Sequence, residues 1–136
     1  MRNQRDRVII DTNLWISFLL TKDYSKLDKI LSEKRVTLIF SLDLIDEFVD
    51  VVQRPKFKKY FSTQNIQSLL LTMRERGDFI SVTSEVIICR DAKDNFLLSL
   101  AKDGDATHLL TGDKDLLDIK NFGSTKIITI TEYLLI

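Results

Sequence analysis

Short apolar runs alternate with amphipathic stretches along the chain. The first run, residues 8–10, stops at Asp11, and a stretch with a helical pattern begins at Leu14. A β-prone run that opens straight into a helix is the first half of a β-α-β unit. We therefore predict a central strand with Asp11 at its carboxyl end, where open α/β sheets bind their ligands. The alternative is that Asp11 or Thr12 only caps the next helix, as Asp and Thr often do.

The same alternation continues to the end of the chain. Residues 36–40, 79–82, 108–111 and 126–130 are apolar and β-branched runs typical of buried parallel strands. Apolar positions with a helical period separate them, as in the helix that Ser41 caps and Pro55 ends. Residues 86–89 follow the third strand so closely that we interpret them as a connector crossing back over the sheet. The pattern predicts one domain over residues 1–136, with alternating strands and helices.

Composition narrows the possible partners and cofactors. Twenty Lys and Arg balance twenty Asp and Glu, so only a local patch can attract nucleic acid or a membrane. One Cys and one His exclude a disulfide framework and a Cys/His zinc site within one chain. The apolar run near the N-terminus is too short for a signal peptide, and no run reaches the length of a membrane span. We expect a protein of the reducing cytoplasm.

Four carboxylates occupy unusual places in this pattern. Asp11 ends strand one, and Asp113 follows strand four across a single residue, Gly112, which permits a sharp turn. Glu47 lies in or beside the apolar stripe of its helix, and Asp94 lies on the inward face of a later helix. Charged side chains on an inward stripe are costly unless they are paired or bind a metal. The chain offers no obvious cation for each of them.

A divalent cation would relieve this crowding. If strands one and four are neighbours, the four acids converge at the carboxyl edge of the sheet and raise each other's pKa. Oxygen donors without His or Cys predict Mg²⁺ or Mn²⁺. Such a site suits phosphodiester hydrolysis, because the metal activates a water and neutralises charge on the phosphate, and a second ion about 4 Å away can steady the leaving oxygen. Acids at strand ends also serve phosphatases and receiver domains.

Four segments, in this order, resemble the motifs of a PIN domain. They are Asp11-Thr12-Asn13, Glu47 on the helix after strand two, Arg90-Asp91-x-x-Asp94-Asn95, and Thr111-Gly112-Asp113-x-Asp115-Leu116. Arg54-Pro55-Lys56-Phe57 resembles the corresponding segment in one branch of this family, the toxins of toxin–antitoxin systems related to VapC-like ribonucleases. The resemblance implies a three-layer α/β/α fold with a five-stranded parallel sheet in order 3-2-1-4-5. It also implies a Mg²⁺- or Mn²⁺-dependent ribonuclease, commonly a homodimer, restrained by a small antitoxin protein.

The resemblance also implies roles for individual residues. The residues that match the family's acidic quartet are Asp11, Glu47, Asp94 and Asp113. We expect Asp11, Asp94 and Asp113 to bind the metal directly or through water, with Asp115 as a further acid. Glu47 would orient the attacking water or share a second ion. The polar residues that match those orienting the quartet are Thr12, Asn13 and Thr111. Asp91 either joins this site or caps a helix.

A basic segment follows the predicted helix that Ser41 caps and Pro55 ends. Its cations, which suit an RNA backbone, are Arg54, Lys56, Lys58 and Lys59. The aromatic residues between them, Phe57, Tyr60 and Phe61, would either stack bases or pack inward, and we favour packing. We interpret Trp15 as part of the core or of a dimer surface, and His108 as structural.

Two other functions compete with the ribonuclease. The first is a non-catalytic module whose acidic cleft docks or regulates a basic partner segment. The second is a phosphatase with an aspartyl nucleophile at Asp11, but such enzymes usually carry a second Asp where this chain has Asn13. Divalent-metal binding separates the ribonuclease from the docking module, and a trapped phospho-aspartate would identify the phosphatase.

Overall fold

Six strands form one sheet in a computed structural model that describes residues 5–89, 91 and 94–136. The strands are β1 (Asp6–Ile10), β2 (Val36–Phe40), β3 (Gly77–Phe79), β4 (His108–Leu110), β5 (Asn121–Phe122) and β6 (Thr125–Ile128). Their order is β3-β2-β1-β4-β6-β5, and all neighbours are parallel except β5 and β6. Strand order reverses at β1 and β4, which places the predicted ligand-binding point between them.

Eight helices connect the strands of the described chain. They are α1 (Thr12–Thr21), α2 (Ser25–Glu33), α3 (Leu42–Val52), α4 (Pro55–Lys58), α5 (Thr63–Arg76), α6 (Asn95–Asp103), α7 (Lys114–Leu117) and α8 (Ile130–Leu134). Ser41 and Ser62 cap α3 and α5 by accepting hydrogen bonds from backbone N–H groups, as their sequence positions predict. Among the described residues, no helix is both long and apolar enough to cross a membrane.

Both faces of the central strands are covered. Val8, Ile9 and Ile10 are all at most 1% exposed, although successive side chains of a strand point to opposite faces. A strand buried on both faces requires packed layers above and below the sheet, as in other parallel α/β folds. Trp15 extends this core and donates a hydrogen bond from Nε1 to the Ile10 carbonyl at 3.0 Å. The predicted α/β class is confirmed, and Trp15 belongs to the core.

The sheet differs from the expectation at its edges. The five predicted parallel strands are present in the predicted order 3-2-1-4-5, with β6 as the predicted fifth strand. β5 adds a sixth, antiparallel strand at the edge of the sheet. This strand is only two residues long and pairs with β6 through a tight turn at Gly123, whose φ is +60°. So short a strand leaves no periodic signal in the sequence. β3 also begins and ends earlier than predicted, because its pairing with β2 starts at Gly77.

Residues 86–89 form the predicted connector rather than a strand, and the connector also includes residues 80–82, which were predicted to belong to the third strand. Ile80 still donates a hydrogen bond to the Phe40 carbonyl of β2. From Thr83 onward, side chains of α6 hold the backbone: Asp103 accepts hydrogen bonds from the Thr83 and Ser84 N–H groups, and Asn95 accepts one from Cys89 at 2.8 Å. Residues 1–4 and Arg90, which belongs to the third family-like segment, lie outside the described residues.

Candidate active site

The carboxyl ends of β1 and β4 bring Asp11 and Thr111 side by side. Asp11 is 4% exposed and follows β1, and its N–H donates to the Leu110 carbonyl at the end of β4. Thr111 Oγ1 donates a hydrogen bond to Asp11 Oδ2 at 2.7 Å. Asp11 also occupies the N-cap position of α1, where its side chain makes no capping hydrogen bond of good geometry. The hydrogen bond from Thr111 therefore does most to hold the carboxylate at the edge of the sheet.

Burial raises the pKa of Asp11 above its ordinary value. The hydrogen bond from Thr111 and the Asn13 backbone amide oppose this shift, whereas the charges of Glu47 and Asp113 add to it. Asn13 is exposed, and it interacts with the Asp11 carboxylate through its backbone amide. Three predicted acids thus lie within electrostatic range of one another.

Glu47 joins the site through Thr12. The two residues come from different helices, α3 and α1, and Thr12 Oγ1 donates to Glu47 Oε1 at 2.6 Å. Thr12 is buried and Glu47 is half-buried, so the carboxylate is not a freely solvated charge on the helix flank. The contact fixes Glu47 beside Asp11, the residue directly before Thr12.

Asp94 carries the largest pKa shift among these acids. Burial, the hydrogen-bonded Asp113 carboxyl and the charges of Asp113, Asp11 and Asp91 raise the pKa of Asp94 to about 7. Two carboxyl groups in contact repel each other when both are ionised, which adds to the effect of burial on Asp94. Asp94 Oδ2 is buried and has no hydrogen-bond partner among the described residues. An orphaned buried oxygen is costly unless something else binds it.

The loop after β4 orders Asp113. The Asp113 N–H donates to Thr111 Oγ1 at 3.0 Å, and Asp113 Oδ1 accepts from the Asp115 N–H at 2.9 Å. Thr111 therefore links Asp11 and Asp113 with one hydroxyl group. Gly112 lies between them without a positive φ, and a Cβ there would meet nothing within 4 Å. The turn therefore does not use the conformational freedom that glycine permits at this position.

Cys89 is a buried neighbour of the acids that the sequence pattern did not single out. Burial raises the pKa of its thiol, and the charges of Asp94, Asp113 and Asp115 add to the shift. Asp115 is half-buried and thus belongs to the same electrostatic environment. Cys89 comes at the end of the connector, whose path depends on Asn95, and no sequence period indicates that placement.

The structure therefore brings the acids together in one place. Within the described part of the chain, however, no three acidic, His or Cys side chains are already arranged to hold a metal ion. The donors converge without forming a closed cage.

The basic segment is built separately, on and around α4. Arg54 pairs with Asp50 at 3.2 Å one turn earlier, and Lys56 and Lys59 lie over aromatic rings of their own segment. Lys58 is exposed. None of these contacts reaches the acids. Of the aromatic residues, Phe61 is buried and stacks on Phe57, which is half-buried. These two pack inward as predicted, whereas Tyr60 is 53% exposed and does not.

His108 is structural, as predicted. It is buried in β4, its Nδ1 lies 2.8 Å from Thr107 Oγ1, and burial lowers the pKa of its ring. Its ring packs against Tyr133, whose hydroxyl donates to Asp6 at 2.6 Å. These residues lie toward the amino ends of β1 and β4, away from the acidic edge.

Comparison with known proteins agrees with this architecture. A family model described as PIN domain matches residues 7–115. The chain is also similar in structure to a chain in the crystal structure of VapBC2 from Rickettsia felis bound to a DNA fragment from their promoter. That similarity has a TM-score of 0.58 at 16% sequence identity, over 89% of this chain and 96% of the other. A search of curated proteins gave no match.

Proposed function

The chain belongs to the PIN-domain family, and we propose that it is an endoribonuclease that depends on Mg²⁺ or Mn²⁺ and acts as the toxin of a toxin–antitoxin pair. The reaction is hydrolysis of RNA phosphodiester bonds in the cytoplasm. The observation that supports this function best is the buried contact of Asp94 with Asp113 beside Asp11, with Asp94 Oδ2 left without a hydrogen-bond partner among the described residues.

The residues present fit a hard divalent cation. Asp11, Asp94 and Asp113 supply carboxylate oxygens, and Asp115 adds a further acid nearby. A cation held by these residues would offset the repulsion between Asp94 and Asp113 and would give Asp94 Oδ2 a partner. When bound, such an ion supplies a water of lowered pKa and neutralises charge on the attacked phosphate.

The protein's own groups hold the reacting parts in position. Thr111 donates a hydrogen bond to one oxygen of Asp11 and so fixes the orientation of this carboxylate. Thr12 fixes one oxygen of Glu47 in the same way and leaves the second for the attacking water. Both hydroxyl groups are buried, which limits the rotation of the carboxylates they hold.

The exposed cations Arg54, Lys56, Lys58 and Lys59 are proposed to bind phosphates of the RNA strand away from the cut site. The structural neighbour from Rickettsia felis is a VapBC2 complex, which supports a small antitoxin as the partner of this chain. We also propose that the toxin forms a homodimer. Light scattering of the purified chain, alone and with its candidate antitoxin, measures both associations.

RNA cleavage by matched variants tests this function. Asp11→Asn and Asp94→Asn each remove one charge from the site, and we expect cleavage to fall by about a hundredfold or more. Asp105→Asn removes the same charge from an exposed turn and serves as the control. Undiminished cleavage by both site variants, or full activity in excess chelator, would exclude the proposed enzyme.

A further inference from the structure

An open groove lies at the carboxyl ends of β2 and β3, beside the acids. We call it the edge groove; its walls include Ser41, Leu42, Asp43, Phe79, Ser81 and Val82, and its volume is about 470 Å³. That volume falls within the range of small-ligand pockets. None of the roles assigned above uses it.

Strand register places the edge groove close to the acids. Asp11, Ser41 and Ile80 are the residues directly after β1, β2 and β3, and these strands are consecutive neighbours in the sheet. Adjacent strands lie about 4.8 Å apart, so the groove begins about 5 Å from the Asp11 backbone and extends to about 10 Å. A neighbouring nucleotide of a strand cut beside Asp11 can reach it.

A second hollow continues the edge groove along the connector. It has a volume of about 390 Å³, shares Asp43 and Val82 with the edge groove, and is lined at its other end by Asn95, the residue after Asp94. The acids do not line either hollow, but the second hollow reaches Asn95 at the start of α6, one residue after Asp94. An RNA strand that follows both hollows would therefore pass close to the acids.

Phe79 gives the edge groove an aromatic surface that is held in place from behind. Its ring stacks on Phe40 with centroids 5.3 Å apart and planes inclined by 25°. Phe40 is buried, whereas Phe79 remains 50% exposed. Stacking between a base and such a ring is the usual way in which proteins hold single-stranded nucleic acid.

The polar groups of the edge groove suit a base better than a phosphate. Among the described residues that line it, the only charged side chain is the exposed Asp43, which would repel a phosphate. A carboxylate instead accepts hydrogen bonds from the exocyclic amino group of a base, as Asp and Glu do with cytosine. Uracil has no exocyclic amino group, and its one donor on that edge, the ring N3–H, lies between two carbonyl oxygens that repel a carboxylate.

We propose that the edge groove is a base-recognition site for single-stranded RNA, in which Phe79 stacks the base and Asp43 accepts a hydrogen bond from its exocyclic amino group. The site takes cytosine, adenine or guanine at a fixed distance from the cut and rejects uracil. This inference rests on the proposed ribonuclease function for its position in the substrate. The binding of the base itself is measurable without cleavage.

The test compares short oligoribonucleotides that differ at one position. Binding is measured by fluorescence anisotropy on the Asp11→Asn chain, which cannot consume the substrate, and cleavage is measured on the chain with Asp11 intact. We expect oligonucleotides with uracil at the recognised position to bind about tenfold more weakly. Asp43→Asn, which adds an amide donor, should remove this discrimination, and Phe79→Leu should weaken binding of all bases by about tenfold. Asp46→Asn, an exposed change on the same helix, is the control.

The outcomes separate the two proposals. Equal binding of all four bases, or discrimination that survives Asp43→Asn in a chain with an unchanged melting temperature, overturns base recognition. Base recognition is also overturned if Asp43→Asn and Phe79→Leu weaken only the binding of a protein partner, since the groove would then bind a peptide. Discrimination in binding without any metal-dependent cleavage supports the base site and removes the ribonuclease function.

Discussion

Among the acids of the site, Asp94 is the one whose ionised form is most unfavourable. Its carboxylate is buried, faces two other acids, and has one oxygen without a partner among the described residues. Native structures keep such groups where a ligand or a reaction needs them, because folding alone would select a neutral residue. The residue that we expect to bind metal is thus also one that destabilises the metal-free chain.

The Asp94→Asn variant separates stability from activity. We expect the metal-free variant to melt at a higher temperature than the unaltered chain at pH 7.5, because a neutral amide replaces a buried carboxylate that faces Asp113 and Asp11. Cleavage should be lost in the same variant. Thermal melts in chelator measure the first effect, with Asp105→Asn as the control. A variant that melts well below the unaltered chain would contradict this account of Asp94.

The stabilising effect of Asp94→Asn should depend on pH. The folded chain raises the pKa of Asp94 from 3.8 to about 7, so the folded state binds a proton that the unfolded state has already lost. The contribution of Asp94 is therefore most favourable below pH 4 and is lost as the pH rises to about 7. The difference in melting temperature between Asp94→Asn and the unaltered chain should grow from pH 4.5 to pH 7.5. A constant difference would show that titration of Asp94 does not change the stability.

At the scale of elements, the carboxyl ends of two parallel strands position the central residues of the site. β1 and β4 deliver Asp11 and Thr111 to neighbouring positions because their register is continuous. This much follows from the sequence, since short apolar runs that end in polar residues mark both strand ends. The contact between Glu47 and Thr12 does not follow from it, because the pattern of α3 fixes its buried face but not its distance from α1.

The connector shows a second limit of sequence patterns. Residues 86–89 have apolar and β-branched side chains typical of a strand, yet the N–H groups of residues 83–89 donate to Asp103, Ser99 and Asn95 on α6. Helix periodicity identifies α6 but does not reveal which polar side chains it offers to a distant segment. The position of Cys89 beside the acids depends on these bonds and was missed for that reason.

Gly77 controls the junction between α5 and β3. A Cβ at this position would lie 2.5 Å from the Met73 carbonyl oxygen and would also collide with the Phe40 ring. We expect Gly77→Ala to lower the free energy of unfolding by about 2 kcal/mol, because the backbone carbonyl and the buried ring have little room to move. Chemical denaturation measures this value.

Gly112→Ala is the matched control for Gly77→Ala, since nothing lies within 4 Å of its added Cβ. We expect its stability to change by less than about 0.5 kcal/mol. The Phe40 ring supports Phe79, so Gly77→Ala should also weaken base binding in the edge groove. Equal stability of the two variants would contradict the close packing described at the junction.

For the whole molecule, the formal net charge of zero hides an uneven distribution. Acids gather at the carboxyl edge of the sheet, and cations gather around α4. A substrate with a charged backbone must therefore approach through the local basic segment rather than through a general attraction. Composition predicted this need for a patch, but the path between the patch and the acids depends on tertiary structure.

Salt dependence of RNA binding tests the basic segment. We expect Lys56→Ala combined with Lys58→Ala to reduce the slope of log affinity against log salt by roughly 1.4, because the loss of two phosphate contacts lowers the number of counterions that binding releases. The control combines Arg74→Ala with Arg76→Ala at the end of α5, just before the amino end of β3 and opposite the acidic edge. An equal loss of slope in the two double variants would show that α4 has no special role.

The most direct test of the account is a crystal structure of the chain soaked in Mn²⁺, with data collected for anomalous scattering. We predict an anomalous peak within coordination distance of carboxylate oxygens from Asp94 and at least one of Asp11 and Asp113, with Asp94 Oδ2 engaged. A well-diffracting crystal with no peak between these three residues at saturating Mn²⁺ would contradict the central claim that they form a metal centre.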